Sequence, residues 1–229
     1  MNSGTGGRAY DSTGFNAPAA LNNSPAQAPA DARLGKGLSL AAGSSQSVDL
    51  GNGPRLVIGA GGFTFAVGYQ SAGTNGFALS SRAASGAGYE ILVGASGVAG
   101  QTALRLSDGN VQAATANAMI STTTGEVLVG VVDRSTNFSY LYDRGVLQQS
   151  ASISGIGSIV NTQDPFLSKR GTTYLTMNVY LTYFWNRALR PAEVLELYFH
   201  PYSMFQSPSP LPLLLSPNGN KTIHRVTQQ

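Results

Sequence analysis

The chain has 229 residues, of which 42% are hydrophobic and only 11% charged, and its formal net charge is +3. That apolar share suffices for one sizeable core, while the small, scattered positive charge leaves no electrostatic footprint for nucleic acid. Cysteine is absent, which excludes disulfides and thiolate metal centres.

The opening stretch, MNSGTGGRAYDSTGFNAPAA, has no apolar run behind Arg8 and is not expected to be a signal peptide. No segment approaches the ~18 apolar residues of a membrane span, so a soluble protein, or part of a soluble assembly, is expected. Residues 1–34 are rich in Gly, Asn, Ala and Pro and predict an extended arm or surface loop leading into the domain. From Leu38 the pattern changes. LSLAAGSSQSVDLG holds two short alternating runs around a Gly-Ser step and predicts a hairpin. PRLVIGAGGFTFAVGYQ follows, with Phe63, Phe65 and Val67 on one face of a strand. GFALSSR, YEILVGAS, ALRLSDGNVQAAT and EVLVGVVDRSTNFSYLYDRGVLQQSASI continue the series, each bounded by Gly, Asn, Asp or Ser.

Two turns are well specified. Asp108-Gly109 supplies residues suited to positive φ, and the loop Asp133 to Asn137 joins two β-prone runs, with Gly145 marking a further bend. Strands recurring every 8–12 residues with turn signals between them are the pattern of a sandwich or barrel. Residues 174–187, YLTMNVYLTYFWNR, are the most aromatic strand region. After them Pro191 suits the first turn of a helix, Glu193 and Glu196 sit near its positive end, and Pro201 stops it. Val194, Leu195 and Tyr198 recur at helical spacing, which predicts a short plug with Leu195 and Tyr198 buried on the sheets. Tyr202, Met204 and Phe205 form the expected anchor behind it. Residues 206–229 carry prolines 208, 210, 212 and 217 and the apolar Leu211, Leu213, Leu214 and Leu215, which predicts an extended tail covered by another protein chain. Its TIHRVT segment is β-prone enough to extend a neighbour's sheet.

The closing segment resembles a family. Trp185, Asn186, Arg187, Ala188, Leu189, Pro191, Glu193, Leu197, Tyr198, Pro201, Tyr202 and Phe205 are similar to the end of laminin-G-like, concanavalin-A-like jelly rolls. YDSTGFNAPAALNNSP with GKGLSLAAGSSQSVDLG resembles that family's opening, and VLVGVVDRSTNFSYLYDRGVL its central hairpin. The closing Pro-aromatic-Phe form looks most like versions of the module in virion proteins of tailed bacteriophages. Tyr202 stands where Trp is common, and Asp143-Arg144-Gly145 where an acidic-Gly or Asn-Gly turn is usual.

The candidate chemistry has a plain structural reading at each point. His200 and His224 make no catalytic or metal constellation, and His200 belongs to a helix end. Glu193 and Glu196 read as a solvated helix start, because glycosidases of the concanavalin-like type place their acids on a concave strand face. Glu90 and Glu126 are the other glutamates, on separate strands without a partner near in sequence. Asp11, Asp49, Asp108 and Asp133 are the candidates for a rim calcium site, but turn-forming aspartates are the favoured reading without a local cluster. GAGG at 59–62 and GASGVAG at 94–100 open no helix and so cradle no phosphate. Tyr180, Tyr183, Phe184 and Trp185 offer rings for sugar stacking, with core packing the favoured reading.

The expectation is therefore an all-β, two-sheet antiparallel jelly-roll sandwich over residues 35–205 with one short C-terminal helix, and no catalytic, cofactor or metal residue. The resemblance implies a non-enzymatic phage virion structural protein, a capsid decoration or a fibre module on head or tail, with host-surface glycans as a further contact. Its partners would be other virion proteins and further copies of itself, with no nucleic acid or membrane. The alternative is a carbohydrate-binding, lectin-like adhesin module.

Overall fold

A computed structural model describes residues 2–3, 8–10, 19–51, 53, 56–71, 75–83, 86–94, 101–115, 118–119, 125–161 and 163–203. They form two large antiparallel sheets packed as a sandwich, with one C-terminal helix. The seven-stranded sheet runs Val146–Ser152, Phe138–Asp143, Glu126–Asp133, Phe63–Ser71, Met177–Trp185, Gly35–Leu40, Ala26–Asp31. The ten-stranded sheet runs Asn2–Ser3, Arg8–Tyr10, Ala19–Asn22, Ser47–Asp49, Phe166–Leu167, Gly76–Ser80, Gly88–Val93, Gln101–Ser107, Gln112–Ala114, with Ala118–Met119 also paired to Gln101–Ser107.

Period-two alternation fills the space between the sheets. Phe63, Phe65, Val67 and Tyr69 from one sheet meet Tyr89, Ile91, Leu104 and Leu106 from the other. Phe65 and Tyr89 stack across the gap with centroids 5.2 Å apart, an arrangement aromatic quadrupoles favour. Gly130 lies opposite Phe65 in mid-strand, and a Cβ there would stand 2.6 Å from its ring. The glycine makes room for the aromatic layer.

Two local expectations change in three dimensions. Within 1–34, where an arm or loop was expected, Ala19–Asn22 pairs with Ser47–Asp49 and Ala26–Asp31 with Gly35–Leu40. The segment thus supplies strands to both sheets. The two runs of LSLAAGSSQSVDLG form no hairpin, because Gly35–Leu40 and Ser47–Asp49 belong to opposite sheets. A single 3-10 turn, Ala42–Ser44, carries the chain across, held by Ala41 N–H donating to the Gln46 side-chain oxygen. The turns at Asp108, Asp133 and Gly145 all close hairpins, and at the last both Arg144 and Gly145 have positive φ. Arg144 holds that conformation with its Nε 3.0 Å from the Asp143 carboxylate.

The helix, Pro191–Phe199, lies on the outer face of the seven-stranded sheet. The register explains the seat. Tyr140, Val131, Thr64 and Trp185 form one row across that face, and Tyr142, Val129, Ala66 and Tyr183 the next. Aromatic side chains flank a trough of smaller ones, and Val194 and Leu197 fill it. Three residues apart, they share one helix face, and burying each contributes ~1.5–3 kcal/mol. Leu195 lies about 100° away around the helix and is 42% exposed, so the burial expected of it falls to Val194 and Leu197. Tyr198 is only half-buried, its ring under the Arg33 guanidinium at 4.5 Å. Arg33 also donates to the Tyr198 and Gly125 carbonyls, at 3.1 and 2.7 Å. Tyr202 donates to the Leu34 carbonyl and so anchors the exit, as expected. Met204, Phe205 and the tail 206–229 lie outside the described residues.

Candidate functional site

The ten-stranded sheet has an outer face of a different kind. Alternation that sends Tyr89, Ile91 and Val93 inward sends Glu90 and Leu92 outward. Leu92 joins Phe77 and Ala103 in a small buried apolar cluster. In the adjacent row Arg105, Glu90, Ser80, Phe166 and Asp49 stand side by side on neighbouring strands.

Glu90 is the hub. Its side chain is 0% exposed, yet it faces three arginines. Arg105 Nη1 lies 3.0 Å and Arg82 Nη1 3.3 Å from Oε1, and Arg170 Nε lies 3.4 Å from Oε2. Ser80 Oγ adds a contact of 3.4 Å. Arg82 arrives from the segment after Gly76–Ser80 and is held by the Gly86 carbonyl at 3.2 Å and Gln112 Oε1 at 2.8 Å. Its close approach needs Gly88, where φ is +147° and a Cβ would meet the Arg82 Cβ at 2.8 Å. Arg170 comes from the short Lys169–Arg170 strand and lays its guanidinium 4.8 Å above the Phe77 ring. Lys169 sits over Phe166 at 4.6 Å.

A charge buried without a partner is expensive, and here one carboxylate meets three cations. Burial is the chief cause that lowers the Arg82 pKa below its usual value; Glu90 opposes it, while Arg170 and Arg105 add to it. The side chains of Arg105 and Arg170 are 26% and 16% exposed, so the cluster opens to solvent on their side. Arg105 Nε is buried and has no hydrogen-bond partner among the described residues.

The residues singled out from the sequence are dispersed. Glu193 and Glu196 lie on the helix, with Glu193 gripped by both terminal nitrogens of Arg187 at 2.9 and 2.8 Å and accepting the Arg190 N–H at 2.8 Å. These bonds hold its pKa down to about 2. His200 caps the helix, its N–H donating to the Glu196 carbonyl. Asp49, Asp108 and Asp133 accept turn N–H groups, namely those of Gly51, of Asn110, Val111 and Gly157, and of Ser135. Asp11, His224 and most of GASGVAG lie outside the described residues. GAGG leads as irregular chain into the Phe63–Ser71 strand. Tyr180 is buried, Tyr183 and Trp185 pack under the helix, and Phe184 packs on the inter-sheet core, so these rings are core.

Sequence order hid two partnerships. Glu126 has Asp143 close by across the hairpin, with Arg144 Nε between them at 3.7 and 3.0 Å, and burial pushes the Asp143 pKa up. Arg82, Arg105 and Arg170 come from three separate stretches, and strand alternation around Glu90 was the one signal that could have united them.

Comparison with known proteins adds the fold's relatives. No protein-family model matches the chain, and no curated protein matches its sequence. Solved structures do match. The binding domain of Paraclostridial Mosquitocidal Protein 1 aligns over 86% of this chain and 52% of that one, with 16% identity and a TM-score of 0.61. The binding domain of botulinum neurotoxin serotype G aligns over 84% of this chain and 48% of that one, with 15% identity and a TM-score of 0.65. The binding domain of botulinum neurotoxin DC, solved in complex with SialylT, aligns over 82% and 47%, with 11% identity and a TM-score of 0.61. The chain therefore spans about half the length of these structures. At such identities the likeness establishes the β-sandwich fold, and each of the proteins named is a binding domain. None of them is described as a virion protein, so the virion expectation rests on the closing motif alone.

Proposed function

We propose that the chain is a non-enzymatic recognition module of the lectin-like type, and that it binds carbohydrate on the outer face of the ten-stranded sheet. The observation that carries this is the contrast in coverage. The helix seals one outer face, whereas the other opens to solvent at the half-buried Arg105 and Arg170. Sugar hydroxyls need fixed donors of this kind. Neighbouring folds described as binding domains, one as a receptor binding domain and another in complex with SialylT, support the same class. The test is a glycan array probed with the whole chain, alongside hydrolase assays on common polysaccharides. Binding reduced about tenfold or more in Arg105→Gln, without turnover, is expected. A chain that binds no glycan, or turnover lost on changing Glu90 or Glu126, overturns the reading.

A second reading, attachment to a larger assembly such as a virion, is favoured by one corner of the molecule. Val146, Leu147, Leu195 and Phe199 are exposed there, with Leu195 against Gly145 at the hairpin turn. Isolated proteins seldom leave such residues grouped in water. Deleting residues 206–229 should leave folding intact and abolish assembly; unchanged assembly removes this reading.

A further inference from the structure

The chain holds two halves of one contact, and the first is on its surface. The helix runs against the turn before the Val146–Ser152 strand, where a Cβ on Gly145 would meet Leu195 Cδ1 at 2.8 Å. Leu195 and Phe199 lie four apart and share a helix face. Leu147 pairs with Tyr142, which packs beside the helix, so Leu147 stands on the same outer face. With Val146 these side chains make an apolar corner, and Val146 and Phe199 are 58% and 60% exposed. Apolar side chains exposed singly are ordinary; four grouped together mark a contact surface. The corner adjoins an open edge. Val146–Ser152 ends the seven-stranded sheet, and among the described residues no strand pairs with its far side. It carries neither charge nor proline, the usual guards of such edges. Past a bulge at Gln148, residues 149–152 keep a regular register.

The second half is in the sequence. Residues 211–215, LPLLL, supply four leucines, and residues 222–227, TIHRVT, are β-prone. The six residues between them reach up to ~20 Å, about the length of the edge strand. Residues 206–229 contain Lys221, His224 and Arg225 but no acid, and the helix exposes Glu196 next to Leu195. We infer that the corner and edge of one copy receive residues 211–227 of a second copy of this chain. The leucines fill the corner, and TIHRVT extends the sheet. The inference rests on the assembly reading above and names its partner. The prolines favour a second copy over the chain's own tail. Pro208, Pro210 and Pro212 predict extended backbone around them. At ~3.1 Å per residue, residues 204–210 then lead roughly 20 Å away from the helix end. Each copy gives one tail and takes one, so pairs close about a two-fold axis or larger rings form.

The experiment is sedimentation equilibrium of the whole chain, with amide hydrogen exchange read at low and high concentration. The unaltered chain should self-associate, and residues 146–152 should exchange more slowly in the associated form, a readout that needs no variant. A corner variant, Leu147→Lys with Phe199→Lys, changes exposed positions and should weaken association about tenfold or more. A tail variant, Leu213→Ser, Leu214→Ser and Leu215→Ser together, should do the same. Mixed, the two variants should associate with each other more tightly than either does with itself, because each keeps the half that the other lacks. A chain that stays monomeric overturns the inference; exchange at 146–152 that then quickens in the tail variant identifies the chain's own tail as the occupant. Association lost in the tail variant but unchanged in the corner variant also overturns it, and leaves the assembly reading standing. Association that both variants leave unchanged removes the inference and the assembly reading together.

Discussion

The two outer faces of this sandwich are built from the same alternation and end up opposite in character. On the seven-stranded sheet the outward residues are Val129, Val131, Ala66 and Thr64 flanked by tyrosines and Trp185, and a helix closes over them. On the ten-stranded sheet the outward residues include Glu90 and Arg105, and the segments around them bring two further arginines. A face sealed by its own helix contributes stability and has nothing left to offer a ligand. A face that gathers charge at the cost of desolvation is where recognition is to be sought.

The sharpest break of this comparison is Glu90→Ala. Removing the one carboxylate leaves three guanidiniums crowded and partly buried, and losing one partner of a buried pair usually costs about 3–5 kcal/mol. Denaturant melts should show that loss. A loss below about 1 kcal/mol would mean that Glu90 is not the hub of the cluster.

On the opposite face, Leu197→Ala should cost about 2–5 kcal/mol, the range for truncating a buried leucine, and leave ligand affinity unchanged. Leu195→Ala should cost about 0.5 kcal/mol or less, as exposed positions do. Reversal of that order in chemical denaturation would contradict the orientation of the helix.

How far the sequence could be read differs between the same two regions. Beyond residue 34 the strands, turns and helix were legible, because Pro191, Pro201, Gly145 and the period-two runs act locally, whereas Ala19–Asn22 and Ala26–Asp31 carry no such run. Which helix residues are buried was half legible: Val194 and Leu197 share a face, but a nine-residue helix leaves two rival stripes, and only the trough in the sheet decides between them. The assignment of strands to sheets around Ala42–Ser44 was not legible, since a tight link looks the same whether it closes a hairpin or crosses a sandwich. The arginine cluster was least legible of all. Arg82, Arg105 and Arg170 are scattered in sequence, and strand pairing alone brings them to Glu90.

The smallest expected effect returns to the helix and concerns pH. Glu193 has its pKa lowered from 4.5 to about 2, first by the Arg187 hydrogen bonds and then by the Arg190 N–H. A carboxylate held below its unfolded value contributes stability that is fully present above about 4.5. That contribution fades as pH falls toward 2, where the folded form also takes up its proton. Arg187 is more than half exposed, so solvent screens the pair and its worth stays below about 1 kcal/mol. Glu193→Gln should therefore lower stability slightly at pH 7, and the gap to the unaltered chain should close as pH falls from 4.5 to 2. Urea melts across that interval read it directly. A gap that persists undiminished at pH 2 would show that the side chain acts through packing or capping shape, and that the helix is held on its face by Val194 and Leu197 with no electrostatic help from its first turn.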